Sequence, residues 1–340
     1  MISESRWLVL SDGAQPTEDI YFLASVAPLL RSQGHAVGRL DVRGWRWRLA
    51  RWVLSRQLGA NLVLARTLPE RSLRWLERER SRFGRILYLV DDDLAAAGSD
   101  MTLPDAYRGR MARAAAQQPR LLALADEVVA CNPSLAEPLR ERHDKVRVMT
   151  PPLIAPLPSL EHVTQGPSVE RPWCLGFHGT RAHLADLEHI APALEALQTE
   201  REDTELELML GEHAPPALAS LPRTSCPAPL AWQKFRDYQA ERRVHIGLAP
   251  LLETPFNRGK SFIKFLDIAA MGGVGVYANR APYTEILEHG VNGLLVDDDS
   301  GEWRRCLHWL LEHPGEAHRM AHAAAETARR HVLRELNIGD

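Results

Sequence analysis

The sequence predicts an α/β protein made of two doubly wound parallel sheets joined by a linker. Three observations carry this reading. Short apolar runs alternate with amphipathic helical stretches along the chain, the pattern of repeated strand-and-helix units. Pro151, Pro152, Pro156 and Pro158, followed by a polar stretch to Arg171, interrupt the alternation near its middle. At 340 residues, 45% hydrophobic and 25% charged, the chain is long enough for two domains that each bury a core. Residues 1–155 form the first domain, 156–171 the linker and 172–320 the second domain, with a final helix over 321–340.

The first unit opens with the strand 7–10, which stops at Ser11-Asp12-Gly13. Thr17-Glu18-Asp19 then starts an amphipathic helix reaching residue 31. One glycine makes a weak phosphate signal. Open sheets bind ligands at the carboxyl ends of their strands, however, which puts Asp12 and Gly13 at the ligand edge. Strands follow at 35–41, 61–65 and 85–90, with helices at 45–58, 69–83 and 104–125, so right-handed crossovers should lay the strands parallel. The segment 45–57, WRWRLARWVLSRQ, sets Trp45, Leu49, Trp52 and Val53 on one helical face amid four arginines. Two readings stand: a basic helix lying in a membrane interface, or a helix packed on the sheet with arginine stems rimming its apolar stripe.

The strand ending at Val90 runs into Asp91, Asp92 and Asp93. Adjacent carboxylates repel one another, so one should hold its proton more tightly and be useful in proton transfer. The alternative is a solvated loop with a helix-capping aspartate. Residues 121–149 read as helix end, strand, helix and strand, closing the first domain.

The second domain restarts with a strand ending in Gly179-Thr180. Arg181, His183 and a helix from residue 184 follow, an arrangement that favours an anion. His178 and His183 also have a structural reading, satisfying backbone at a strand end. The next strand is 205–211, and a proline-rich loop, 214–229, leads to a helix at 232–242. The apolar run 246–251 is a buried strand, 255–259 a loop opening the next helix, 274–278 a strand and 283–288 a short helix. Helices at 302–311 and 316–336 end the chain.

Lys260, Ser261 and Lys264 fall in the first turn of the helix opened by 255–259. Free backbone N–H groups, the positive end of the helix dipole and two ammonium groups converge there, making an anion site suited to phosphate. Of 41 basic residues only four are lysines: Lys145, Lys234, Lys260 and Lys264. Two within one turn, in a chain that otherwise uses arginine, suggest a task for a compact, far-reaching charge. Two solvated helix lysines are the alternative. Neither G-x-G-x-x-G nor a Walker A sequence occurs, and the motifs of serine-triad hydrolases, NAD dehydrogenases and kinases are missing.

The runs FNRGKSFIKFLDIAAMGG and PYTEILEHGVNGLLVDDD, with FHGTRAHLADL and the strand-plus-DDDL at residue 91, resemble the retaining GT-B glycosyltransferases of glycosyltransferase family four. The resemblance implies two Rossmann-like domains facing a cleft, with the last helix crossing back to the first domain. It implies a nucleotide-sugar donor held by Gly179, Thr180, Arg181, His183, Ser261, Phe262, Lys264 and Asp267, the last matching the family's ribose-binding acid. Asp92, Asp93 and Lys260 become the catalytic candidates, with no metal and no cofactor. The sequence departs from the family at Gly259, where the first acid of a Glu-x7-Glu motif is expected, and at Gly272-Gly273-Val274, which replaces Gly-x-Pro. These departures motivate a competing reading, a non-catalytic nucleotide-sugar-binding or scaffold protein of the same fold. A third reading gives Asp91–Asp93 a divalent metal, as in the GT-A architecture.

Residues 1–150 carry 23 basic and 18 acidic residues, a charge of +5, whereas residues 151–340 carry −8. The basic half suits an anionic partner: a glycan or lipid-linked acceptor, or a membrane surface. No nucleic-acid partner is expected. With no leader pattern and no apolar run of membrane-spanning length, the expected location is cytoplasmic, at the inner membrane face on the interfacial reading of residues 45–57. Cys131, Cys174, Cys226 and Cys306 lie far apart without a C-x-x-C pair, so they are expected as small buried hydrophobes.

Overall fold

The computed structural model describes residues 5–333. Six strands form the first sheet: β1 (Arg6–Ser11), β2 (Ala36–Asp41), β3 (Asn61–Ala65), β4 (Ile86–Val90), β5 (Glu127–Ala130) and β6 (Val146–Val148), in the order β2-β1-β3-β4-β5-β6. The second sheet contains β7 (Trp173–Phe177), β8 (Thr204–Leu208), β9 (Thr224–Ser225), β10 (Ile246–Ala249), β11 (Val274–Ala278) and β12 (Leu294–Val296), in the order β12-β11-β10-β7-β8-β9. Every strand pair is parallel. β4, β7 and β11 are buried at every position, which is why they read as unbroken apolar runs: helices cover both faces of each sheet.

Strand order reverses between β1 and β3 in the first sheet and between β7 and β10 in the second. Each reversal opens a crevice at the carboxyl ends of its strands. Each sheet has its own apolar core. Between the domains, Ala97 and Leu103 from the first meet Ala182 and Phe256 from the second in a small buried cluster. Polar ties cross the same boundary: Asn132 Nδ2 donates to the Lys260 carbonyl at 2.7 Å, and Trp232 Nε1 donates to Asp19 at 2.6 Å.

Several elements differ from the sequence expectation. The first helix is broken into Gln15–Glu18, a π-helical turn at Asp19–Leu23 and Val26–Ser32. β9 and β12 are two and three residues long, too short to show periodicity in sequence. The final helix, Pro314–Arg330, packs on the second domain through Ala317, Met320, Ala321, Ala324 and Ala328. Just beyond it, Leu333 touches the core of the first domain and the His331 carbonyl accepts from Leu153 N at 3.0 Å. The part of that helix expected over 334–340 lies outside the described residues. All four cysteines are free; Cys131 and Cys174 are buried, while Cys226 and Cys306 are only partly so.

The helix Arg46–Leu54 resolves the two readings of the tryptophan segment in an unexpected way. It packs on the domain, but through Trp47, Ala50 and Leu54, with Trp47 meeting the edge of Trp75 at 5.5 Å between ring centres. The stripe of Trp45, Leu49 and Trp52 lies on the opposite face and is exposed. Among the described residues, no helix is long and apolar enough to cross a membrane.

Candidate active site

The two crevices face each other across a cleft of about 950 Å³, within the range of small-molecule ligand sites. The second domain supplies one wall. After β7 the chain turns through Gly179 and Thr180, and the Thr180 hydroxyl accepts from Ala182 N to start the turn Arg181–His183 ahead of the helix Leu184–Glu200. After β10, Thr254 caps a helical turn at Pro255–Arg258, and the long helix begins only at Ile263. A loop was expected at 255–259. The Thr254 cap, which accepts from Asn257 N at 3.1 Å, and Pro255 in the first turn make it helical instead. Lys260 and Ser261 therefore precede the helix Ile263–Ala270, and only Lys264 stands in its first turn.

Asp186, which the sequence reading passed over, binds these two loops together. One of its carboxylate oxygens lies 2.7 Å from His183 Nδ1, and the other accepts from Leu252 N at 2.8 Å and Asn257 Nδ2 at 3.0 Å. Its signal in the sequence was modest: an acid three residues after a histidine, in the first turn of a helix. Burial lowers the His183 pKa, and the charges of Lys260 and Lys264 add to this against the pull of Asp186.

On the same wall, Asp267 accepts from Gln239 Nε2 at 2.9 Å, and burial raises its pKa. Burial also lowers the pKa of Lys264, which Asp267 partly offsets. His178 also lines the cleft, with its Nε2 2.8 Å from Glu207, which accepts from Tyr238 as well and pairs with Arg242 at 2.8 Å.

The first domain supplies the opposite wall. Gly13 has φ +107°, a conformation that favours glycine, and the flexible end of the Arg43 side chain lies over it, 2.7 Å from where a Cβ would fall. Asp12 accepts from Ala14 N at 3.1 Å, and burial pushes its pKa up to about 6 despite the nearby charges of Arg66 and Arg43. Arg66 is a second residue that the sequence reading missed. It follows β3 directly, with φ +59°, and its guanidinium lies 2.8 Å from Asp92 and 3.5 Å from Asp91. Thr17 donates to Asp91 at 2.5 Å. The rule that ligands gather at the carboxyl ends of strands could have flagged Arg66 as it flagged Asp12.

Lys260 reaches across to this wall. Its ammonium lies 2.6 Å from Asp92 and 3.9 Å from the centre of the Phe256 ring. Burial alone would raise the pKa of both aspartates. For Asp92 the charges of Lys260 and Arg66 outweigh burial and hold it below the usual range, whereas Asp91 stays raised. Neighbouring carboxylates are thus driven apart in acidity.

Of the expected site residues, Asp12, Gly13, Asp92, Gly179, Thr180, Arg181, His183, Lys260, Ser261, Lys264 and Asp267 all line the cleft. Two are placed elsewhere. Asp93 turns away to cap the helix Leu94–Ser99, accepting from Ala96 N at 2.9 Å. Phe262 is buried in the second domain against the His331 ring. Among the described residues, no group of three or more His, Cys, Asp or Glu side chains is arranged to hold a metal ion.

This architecture recurs in solved structures. Sucrose-phosphate synthase from Thermosynechococcus elongatus superposes with a TM-score of 0.63 at 12% identity, over 96% of this chain and 95% of that one. A glycosyltransferase from Rickettsia africae gives 0.61 at 12%, over 97% and 94%. HepE from Anabaena, in complex with UDP and glucose, gives 0.60 at 14%, over 96% and 95%. The fold is GT-B. No protein-family model and no curated protein matches the sequence. At these identities the likeness establishes the GT-B fold alone, so function must be argued from the cleft.

Proposed function

We propose that this protein is a metal-independent, retaining glycosyltransferase that moves a sugar from a nucleotide-sugar donor to a glycan or lipid-linked acceptor, in the assembly of a cell-surface polysaccharide or glycoconjugate. One observation carries the reading. A single cleft sets Arg181, His183, Lys260 and Lys264 on one wall against Asp12, Asp91 and Asp92 on the other, at the switch points of two parallel sheets. The UDP and glucose bound by HepE, of like fold, support the choice of donor.

The donor's diphosphate would lie against the turn Gly179–Arg181 and the start of the helix Ile263–Ala270. As the bond from the sugar's anomeric carbon to the diphosphate breaks, negative charge grows on the leaving oxygen. Arg181, Lys264 and the helix-start amides stabilise that charge, with no ion required. Asp267 accepts from the ribose hydroxyls, and Asp186 holds both phosphate-facing loops in place. The acceptor oxygen bonds to the anomeric carbon on the face that the diphosphate leaves, which keeps the configuration, and the acceptor hydroxyl must give up its proton as that bond forms. Asp92, held ionised by Lys260 and Arg66, is a weak base suited to positioning, whereas Asp12 has an acidity near neutrality suited to taking that proton.

The experiment is donor hydrolysis and transfer screened across nucleotide sugars, with and without EDTA, using acceptor-containing membrane extract. Turnover that survives EDTA is expected. Turnover abolished by EDTA and restored by Mn²⁺ would transfer the chemistry to a metal at Asp91–Asp93.

A second reading, nucleotide-sugar binding without catalysis, is favoured by the surroundings of Gly259. A Cβ there would stand 3.2 Å from the Asp93 Cβ, so the first family acid would need Asp93 to give by a few tenths of an ångström, and the neighbouring Lys260 is engaged with Asp92. That reading requires nucleotide affinity with no transfer or hydrolysis from any donor.

A further inference from the structure

The helix Arg46–Leu54 has two apolar faces, and only one is used by the fold. Trp47, Ala50 and Leu54 are buried, whereas Trp45, Leu49 and Trp52 on the far side are 74%, 60% and 54% exposed, and Leu58 in the turn beyond is 71% exposed. A helix docked on a sheet needs one apolar stripe, so the second needs another explanation. Its rim is basic. Arg48 and Arg51 form no ion pair among the described residues, and Arg56 stacks on Trp52 with its guanidinium 4.0 Å from the ring centre. Arg43 and Arg46 share the one carboxylate of Asp41, at 2.9 and 2.6 Å, which offsets only one of their two charges, and no further acid occurs before Glu70.

We propose that this face docks on an anionic lipid bilayer surface. Tryptophan rings and a leucine set between arginines match an interface that is apolar below and negatively charged above. A second copy of the chain fits poorly, because a two-fold contact would bring Arg48 and Arg51 against their own copies with no acid between them. The position of the helix adds a consequence that rests on the transfer reaction above. Trp45 follows Arg43 by two residues, and the Arg43 guanidinium lies against Gly13 on the cleft rim. Docking would thus hold the acceptor side of the cleft close to the lipid surface, within reach of a lipid-borne acceptor.

The test is co-sedimentation of the full chain with vesicles of phosphatidylcholine alone and of phosphatidylcholine mixed with phosphatidylglycerol. Wild type should bind the mixed vesicles and not the neutral ones, and salt should weaken the binding. Trp45→Ser with Trp52→Ser, and separately Arg48→Glu with Arg51→Glu, should each lower vesicle affinity by at least roughly tenfold. Trp309→Ser, at an exposed tryptophan elsewhere, should bind as wild type. Failure of wild type to bind mixed vesicles overturns the proposal. So does binding that the paired variants leave unchanged, or self-association in solution that the tryptophan variants abolish. Donor hydrolysis by the same variants reads the cleft separately, so a failed vesicle assay and a failed transfer reading are distinguishable.

Discussion

The ammonium of Lys260 lies 2.6 Å from the carboxylate of Asp92, and this ion pair crosses from the second domain to the first at the floor of the cleft. Both side chains are mostly buried, at 17% and 10% exposure, so neither charge is well served by water if the other is removed. Asp92→Ala leaves Lys260 without its acid and should destabilise the protein by about 3 kcal/mol, Lys260→Ala should cost less because Arg66 stays 2.8 Å from Asp92, and the double variant should cost less than the sum. Denaturant titration of the four proteins measures this. Strictly additive costs would mean that the two groups are uncoupled.

Lys264 stands in the first turn of the helix Ile263–Ala270 with no carboxylate within ion-pair distance among the described residues, leaving it available to an anion. Lys264→Ala should weaken nucleoside-diphosphate binding by about 1.5–3 kcal/mol, the loss of one charge-assisted contact. Lys234→Ala, at an exposed lysine, should change it by roughly nothing. Equal effects in calorimetry would move the phosphate site away from this helix.

Asp12 gives the pH dependence its sign. A proton acceptor works only when ionised, and burial raises this carboxyl to about 6. The rate should therefore fall as pH drops through that value, where ordinary surface carboxylates would hold it constant down to about 4. In Asp12→Asn, kcat/KM should be low and the acid limb near pH 6 should disappear. A limb that persists in the variant assigns the titration to another group.

Gly259 has φ −80°, which any residue adopts, and a Cβ there would lie 3.2 Å from the Asp93 Cβ and 3.4 Å from the Phe256 carbonyl, a tight fit that asks Asp93 to shift by a few tenths of an ångström. Gly259→Glu, the substitution toward the family motif, should destabilise by about 1–3 kcal/mol through overpacking at the domain boundary. It should not raise turnover. A stable and faster variant would show that the boundary opens readily and that the missing acid limits the wild type.

Most of the fold could be read from the chain because local physics specifies it. The continuous apolar runs of β3, β4 and β11 and the amphipathic stretches between them carry their own periodicity, and the proline cluster falls between the last strand of one sheet and the first of the other. Lys260 and Lys264 stood out by their place at an expected helix start and by the rarity of lysine, and Asp12 by its place at a strand end. What the tertiary structure decided is the partner of each group. Asp92 and Asp93 are adjacent and identical in type, yet one faces Lys260 across the cleft and the other caps a helix, because successive residues leaving a strand point in different directions. Arg66 and Asp186 acquire meaning only when residues 26 and 71 positions distant, Asp92 and Asn257, fold against them. The tryptophan helix makes the same point. Its sequence fixes which residues share a face, but an α-helix with two apolar stripes does not say which one the sheet will take, and only the packing of Trp47 on Trp75 chooses.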